Sequence, residues 1–276
     1  MSILVSIITP CLNSEKTIER TVLSVLNQIY KNIEYIIIDG KSSDKTLEIL
    51  HRYQEKDSRL FVISEKDKSM TEALNRGLKI AKGDIIATIN ADDWYKLDAI
   101  NYVVELFKKK QFFCLMADTQ FISNTDELLY VAKPWLASSL FAWYLMGCMT
   151  PESSVFYSAS CIKKIGYFNE NLKYTQDFEY YIRIIKNYQI SYTNKILSNF
   201  CVSPNQYSAR LQPQLESEVL NFIDYKFLRK TLGGTSWSTP LRIFLGIRAY
   251  TFQQLYKQTF RFMQKNIKFM SYGNQE

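Results

Sequence analysis

The sequence predicts an α/β protein built on a Rossmann-like, mostly parallel central sheet flanked by helices, and three observations carry that reading. Strand-like and helix-like segments alternate from residue 2 to about residue 118. The strand-like segments are continuously apolar, as strands covered on both faces are. Polar residues gather just after them, at Thr9, Asp39, Glu65-Lys66-Asp67 and Asp92-Asp93. In a parallel sheet those strand ends share one edge, so four separated stretches converge on a single crevice, the place where open α/β sheets bind ligands.

Residues 2–9 form a β-rich run that ends at Pro10, and Ser14 is a candidate N-cap for a helix over 17–26. Residues 33–38 read as a second buried strand ending at Asp39-Gly40. Ser43 or Asp44 can cap a helix running to Tyr53, and 60–64 is a short strand. A helical period over 71–81 is followed by Gly83, placed to close it in the left-handed cap conformation. A strand over 85–89, a helix over 99–108 and a strand over 112–117 complete this half. The pattern then loosens, and 121–149 is aromatic and irregular, expected to form loops and short helices. A strand over 154–157, a helix over 160–165 closed by Gly166, a helix over 175–186 and a strand over 196–201 follow. Residues 211–229 read as helix before a break at Gly233-Gly234. Three units result: 1–118, 119–205, and a helical C-terminal extension over 206–276.

A chain of 276 residues can bury one large core with an appendage. Its 47% hydrophobic and 14% aromatic content excludes disorder. Nineteen Tyr and 17 Phe can fill a core, and such rings also line sugar sites and membrane interfaces. A net charge of +7 suits an anionic partner, whether nucleic acid, anionic lipid or a phosphorylated substrate. The five cysteines at 11, 114, 148, 161 and 201 contain no CxxC pair, and His51 is the only histidine. That argues against zinc and for reduced thiols in a cytoplasmic protein, with His51 on the surface. No basic leader precedes the first apolar run, and no stretch reaches the length of a spanning helix. GxGxxG, GxxxxGK[ST] and GxSxG are all absent, which disfavours dinucleotide dehydrogenases, P-loop ATPases and histidine-based hydrolase triads.

Three carboxylate positions stand out. The run Ile85-Ile86-Ala87-Thr88-Ile89-Asn90-Ala91-Asp92-Asp93 ends a buried strand in two acids. Hard oxygen ligands at that edge suit Mg2+ or Mn2+ held against a diphosphate, although acids there also cap helices. Asp39 ends the second strand, where a carboxylate can accept hydrogen bonds from a base or ribose, or form a turn with Gly40. Asp177 opens a helical run, where its charged form is stabilised and it can serve as a general base or as a plain cap.

The ordered set of segments resembles the family 2 glycosyltransferases of the GT-A fold, the inverting enzymes of bacterial polysaccharide synthesis. The segments are Val5-Ser6-Ile7-Ile8-Thr9-Pro10, Thr21-Val22-Leu23-Ser24-Val25-Leu26-Asn27-Gln28, Tyr35-Ile36-Ile37-Ile38-Asp39-Gly40 with Lys41 to Thr46, Ala73-Leu74-Asn75-Arg76-Gly77, Gly83 to Asp93, Gly166-Tyr167-Phe168-Asn169-Glu170 and Gln176-Asp177-Phe178-Glu179. The resemblance implies a nucleotide-sugar donor, with UDP as the default. It places Thr9, Leu12, Asp39, Asp67 and Asp92 at the nucleotide or donor sugar, Asp93 on Mn2+ or Mg2+, and Asp177 as the catalytic base. Leu12 stands where many relatives carry a stacking aromatic, Lys41 and Lys45 where glycines are frequent, and Gln176 where a Glu often precedes the base. An acceptor wall is expected from Trp135, Trp143, Tyr144 and Glu152, the Trp residues serving equally as core. Arg183 is expected to pair with Glu179, one turn earlier.

Residues 226–275 contain no Asp or Glu and mix basic with aromatic side chains. That mixture matches an interfacial helix on an anionic membrane, which would put the protein on the inner face of the plasma membrane with a saccharide or lipid-linked glycan as acceptor. The other use of such a stretch is a helix pair packed on the core. A nucleic-acid binder, a nucleotidyltransferase on a similar fold and a non-catalytic scaffold compete. The first lacks any recognition motif, the second lacks a glycine-rich basic loop after the first strand, and the third is opposed by the acids the resemblance retains.

Overall fold

The structure is a computed structural model and describes residues 2–134, 150–203 and Glu218. These residues build one nine-stranded sheet with helices on both faces. The first half alternates as expected: β1 (Val5–Cys11), α1 (Ile18–Leu26), β2 (Ile33–Asp39), α2 (Thr46–Gln54), β3 (Leu60–Ser64), α3 (Met70–Ile80), β4 (Ile85–Thr88). After it come β5 (Trp94–Tyr95), α4 (Ala99–Lys109), β6 (Cys114–Ser123) and β7 (Leu128–Ala132). A short 3-10 turn (Glu152–Ser154), β8 (Val155–Ser158), α5 (Ala159–Ile165), α6 (Gln176–Ile185) and β9 (Ile190–Val202) complete it.

The strand order is β3-β2-β1-β4-β8-β6-β9-β5, with β7 paired to β6. From β3 to β4 every pairing is parallel. Beyond β4 the sheet is mixed: β8 is antiparallel to both neighbours, whereas β6 and β9 run parallel. The burial of β1, β2 and β4 on both faces explains their unbroken apolar sequences. One core lies between the sheet and α1, α2 and α4, around Ile7, Val22, Leu50 and Val103. The other lies against α3, α5 and α6, around Ile8, Leu74, Ile162 and Tyr181.

Several expected boundaries move, each for a local reason. β1 runs through Pro10 to Cys11, because β2 and β4 flank it and the missing proline N–H is tolerated at the strand end. Thr17, not Ser14, caps α1; the Ser14 carbonyl instead accepts from the Thr17 and Ile18 amides, at 3.0 and 2.9 Å. Ser69 caps α3 through its side chain, bonding Glu72 N–H at 3.2 Å. Gly83 does not close that helix; the chain leaves α3 extended at Ala81. Glycine is needed at 83 for close approach, since a Cβ there would lie 2.5 Å from both the backbone nitrogen and the hydroxyl of Ser6. Gly166 does cap α5, at φ +86°. β5 and β7 fall where loops were expected.

His51 is exposed on α2, as anticipated, and Cys11, Cys114, Cys161 and Cys201 are buried and form no disulfide among the described residues. Among the described residues no helix is long and apolar enough to cross a membrane. The expected helix over 211–229, apart from Glu218, the basic-aromatic stretch 226–275, Trp135, Trp143, Tyr144 and Cys148 lie outside the described residues.

Candidate active site

The parallel register sets Cys11, Asp39 and Ser64 level across the ends of β1, β2 and β3. Asp39 is fully buried there. Its carboxylate accepts from the Lys41 and Ser42 amides, both at 3.1 Å, from Ser64 Oγ at 2.6 Å and from the Ser42 hydroxyl. The Cys11 thiol leans on it at 3.8 Å and is raised by burial and then by the Asp39 charge. Asp39 therefore organises the turn after β2. That turn places Lys41 at φ +67°, which explains why glycine suits this position. Asp67 closes on the same turn: its Oδ2 lies 2.7 Å from where a Cβ on Gly40 would stand. Burial raises the Asp67 pKa, and the Arg76 charge opposes the rise. Leu12, 56% exposed, sits directly after Cys11 at the mouth of this group.

Thr9 is not in the crevice. It shares the β1 face of Val5, Ile7 and Cys11, is fully buried, and its hydroxyl pairs with the Tyr35 hydroxyl at 3.0 Å. The strand's period of two, continued past Pro10, turns Thr9 into the core.

The acidic loop after β4 is clamped by one face of α1. Thr21 Oγ1 donates to the Asp93 carbonyl at 2.7 Å, and Ser24 Oγ accepts from Tyr95 N–H at 3.2 Å. Gln28 donates to the Lys96 carbonyl at 2.8 Å and accepts from Ile100 N–H at 3.0 Å. Thr21 and Ser24 share one face of α1, and Gln28 follows just past its C-terminal end. Gln28 is fully buried, so Gln28→Ala leaves the Ile100 amide without its acceptor and takes one of two donors from the Lys96 carbonyl, which keeps Ala99 N–H at 3.0 Å. The expected loss is roughly 2–4 kcal/mol of stability, read by urea unfolding; an unchanged midpoint would remove Gln28 from this clamp.

The two acids of the loop differ sharply. Asp93 is fully buried; Oδ1 accepts from Cys201 N–H at 3.0 Å, and Ser153 and Asn90 also bond its carboxylate. Burial, then the negative charge of Asp92, push the Asp93 pKa well above its ordinary value. Asp92 stays partly exposed, and burial raises its pKa as well. No side chain among the described residues is seen donating to the Asp92 carboxylate.

Asp177 lies in the first turn of α6, partly buried, with Oδ1 accepting from Phe178 N–H at 2.7 Å. Burial raises its pKa to about 6. Beside it stands Glu152, 5% exposed, whose pKa is driven well above the usual carboxylate range by burial and then by the Asp177 charge. Thr150 Oγ1, Glu152 Oε1 and Gln176 Oε1 are buried and have no hydrogen-bond partner among the described residues. The 3-10 turn thus joins the two halves: Glu152 faces Asp177 while the adjacent Ser153 holds Asp93.

Side chains without an obvious signature set α6 in place. Asn75 bonds the Phe168 amide and carbonyl, both at 2.9 Å, and Glu170. Thr71 donates to the Leu172 carbonyl at 3.0 Å. Arg183 pairs with Glu179 as expected, and also donates to the Ile165 and Tyr167 carbonyls. The only trace of these roles in the sequence is that Asn75 and the loop it binds both belong to the ordered segments.

A sequence model of the family described as Glycosyl transferase family 2 matches residues 6–150, more than half of the chain. An uncharacterized glycosyltransferase of Rickettsia typhi is 28% identical over 222 residues, 77% of this chain and 68% of that protein. Chondroitin synthase of Escherichia coli is 28% identical over 71% of this chain and 28% of its own length. Poly-beta-1,6-N-acetyl-D-glucosamine synthase of Staphylococcus aureus is 28% identical over 68% of this chain and 47% of its own length. The chain therefore spans less than half of either synthase. Among solved structures, S. aureus TarS in complex with UDP-GlcNAc superposes with a TM-score of 0.63 over 79% of this chain and 67% of that one, at 20% identity. Mannosyltransferase PcManGT of Pyrobaculum calidifontis, in complex with GDP-Man and Mn2+, gives 0.62 over 91% and 70%, at 16% identity. These likenesses show the GT-A fold, and the match over residues 6–150 shows that the chain belongs to glycosyl transferase family 2 and is a glycosyltransferase.

Proposed function

We propose that this enzyme transfers a sugar, with inversion, from a UDP-sugar to a hydroxyl of a saccharide or lipid-linked glycan. The observation that carries this reading is the 3-10 turn, where the buried Glu152 feels the charge of Asp177 on one side and the adjacent Ser153 bonds Asp93 of the acidic loop on the other. The names of one relative and one structural neighbour support N-acetylglucosamine as the sugar: a synthase of its polymer and a protein solved with UDP-GlcNAc.

The donor would lie along the strand ends, with Leu12, Asp39 and Asp67 around the base and ribose. A divalent cation fits the acidic loop, though not as a protein-built cage: the described residues contain no cluster of three or more His, Cys, Asp or Glu ligands. Mn2+ or Mg2+ on one or two carboxylates, completed by diphosphate oxygens, needs no such cage. We assign the ligand role to Asp92 rather than Asp93, because Asp93 is buried and already bonded to Cys201, Ser153 and Asn90. When bound, the metal supplies charge that stabilises the departing diphosphate.

Asp177 does the proton chemistry. Its Oδ1 is held by Phe178 N–H, which leaves Oδ2 for the acceptor hydroxyl. As the hydroxyl proton moves to Oδ2, the acceptor oxygen bonds to the anomeric carbon and the bond from that carbon to the diphosphate breaks. Burial and the Asp177 charge both favour the protonated form of Glu152. The unpartnered atoms of Thr150, Glu152 and Gln176 are available to the sugar hydroxyls of the acceptor. Residues 226–275 would hold the enzyme at an anionic membrane surface.

The test is the pH dependence of UDP release from UDP-GlcNAc with Mn2+. A base must be ionised, and Asp177 ionises near pH 6. The rate is expected to fall about tenfold per unit below pH 6 and to level off above it. A rate that stays constant from pH 5 to 8 would contradict the assignment.

A further inference from the structure

We infer that Glu218, from the C-terminal stretch, is a positioning residue for the base: its carboxylate fixes the entry to α6 and so the place of Asp177. The inference rests on the base role proposed above. Four hydrogen bonds converge on this one side chain. Lys173 N–H donates to Oε1 at 2.8 Å; Tyr174 N–H and Thr175 N–H donate to Oε2 at 2.9 and 3.2 Å; and Thr175 Oγ1 donates to Oε2 at 3.0 Å.

Three consecutive amides aimed at one point make an anion-binding nest, and here the chain fills the nest itself. The bonds are charge-assisted, and the carboxylate lies near the positive end of the α6 dipole. Thr175 is the N-cap residue of α6, yet its hydroxyl does not cap the helix. It turns to Glu218 instead. The rest of the approach is tied elsewhere: Ile165 and Tyr167 to Arg183, Phe168 to Asn75, Leu172 to Thr71. Residues 173–175 are the last link between that clamp and Asp177, and Glu218 is what holds them. A shift of about 1 Å at a reacting group costs on the order of a hundredfold in rate. Glu218 therefore links the C-terminal stretch to the entry of α6.

The test uses the full chain with Glu218→Ala, Glu218→Gln and Glu218→Asp, and Asp177→Asn in parallel. For Glu218→Ala we expect kcat for UDP release from UDP-GlcNAc to fall roughly ten- to hundredfold, with the donor KM within about twofold. Amide hydrogen exchange should accelerate at residues 173–179 and stay unchanged in α2. Added acetate should restore both the rate and the protection of the Ala variant by occupying the same donors. The Asp variant should retain more activity than Gln, which presents an NH2 to backbone amides. Unchanged exchange and unchanged kcat would overturn the inference. So would a joint loss of kcat, donor binding and melting temperature that acetate does not reverse. Should Asp177→Asn turn over like the parent, the base reading fails on its own, while the exchange result still judges the Glu218 contact.

Discussion

Asp177→Asn is expected to lower sugar transfer by about three orders of magnitude while UDP binds as before. The substitution keeps the shape and the Phe178 N–H contact but removes the proton acceptor. It should not weaken the fold. Asp177 ionises near pH 6 in the folded chain against an ordinary 3.8, so whatever stability it contributes is present below pH 3.8 and lost as the pH rises through 6. At pH 7.5 the ionised carboxylate is a burden, and a neutral amide relieves it. The melting temperature should hold or rise. Equal transfer by parent and variant would remove Asp177 from the chemistry, and a collapse in melting temperature would make it structural.

The second large effect concerns the acidic loop. With Asp92→Asn, the tightening of UDP by Mn2+ in calorimetry should disappear, a loss of at least roughly a hundredfold in metal-assisted affinity. Asp93→Ala should behave differently. It leaves Cys201 N–H without its acceptor in a fully buried position, so its main consequence should be a lower melting temperature. The opposite pattern, an Asp93 variant of normal stability that ignores Mn2+ beside an Asp92 variant that responds, would return the metal to Asp93.

What could be read from residues alone divides along physical lines. The strands from β1 to β4 were legible because they are buried on both faces and leave an unbroken apolar run. β7 was not, since it lies on the edge of β6 with only Ala132 buried, and β5 spans two residues, too few to show any period. β6 and β9 run further than their apolar portions suggest. Their later pairing passes through register shifts near Asp118 and carries polar residues such as Thr119 and Asn199. At the site, Asp39, Asp92 and Asp177 were visible because each is an acid at the end or start of an element. Thr9, which the resemblance sets at the nucleotide, lies within β1 on the face of Val5 and Ile7, so the strand's alternation turns its side chain toward the core. Asn75, Thr71 and Glu218 act on backbone groups far along the chain, and pairing of that kind leaves no local pattern to read.

The clamp formed by Thr21, Ser24 and Gln28 has a consequence for how variants of this enzyme should be interpreted. None of the three needs to meet a substrate, yet each holds the backbone from which Asp92 projects. Harm done there would surface as poor use of the cation, and a survey confined to cavity-lining positions would file it as unexplained. Attempts to alter sugar preference should leave those three alone and vary the acceptor-side polar groups, where an exchanged side chain does not unseat the anvil on which the reaction is struck.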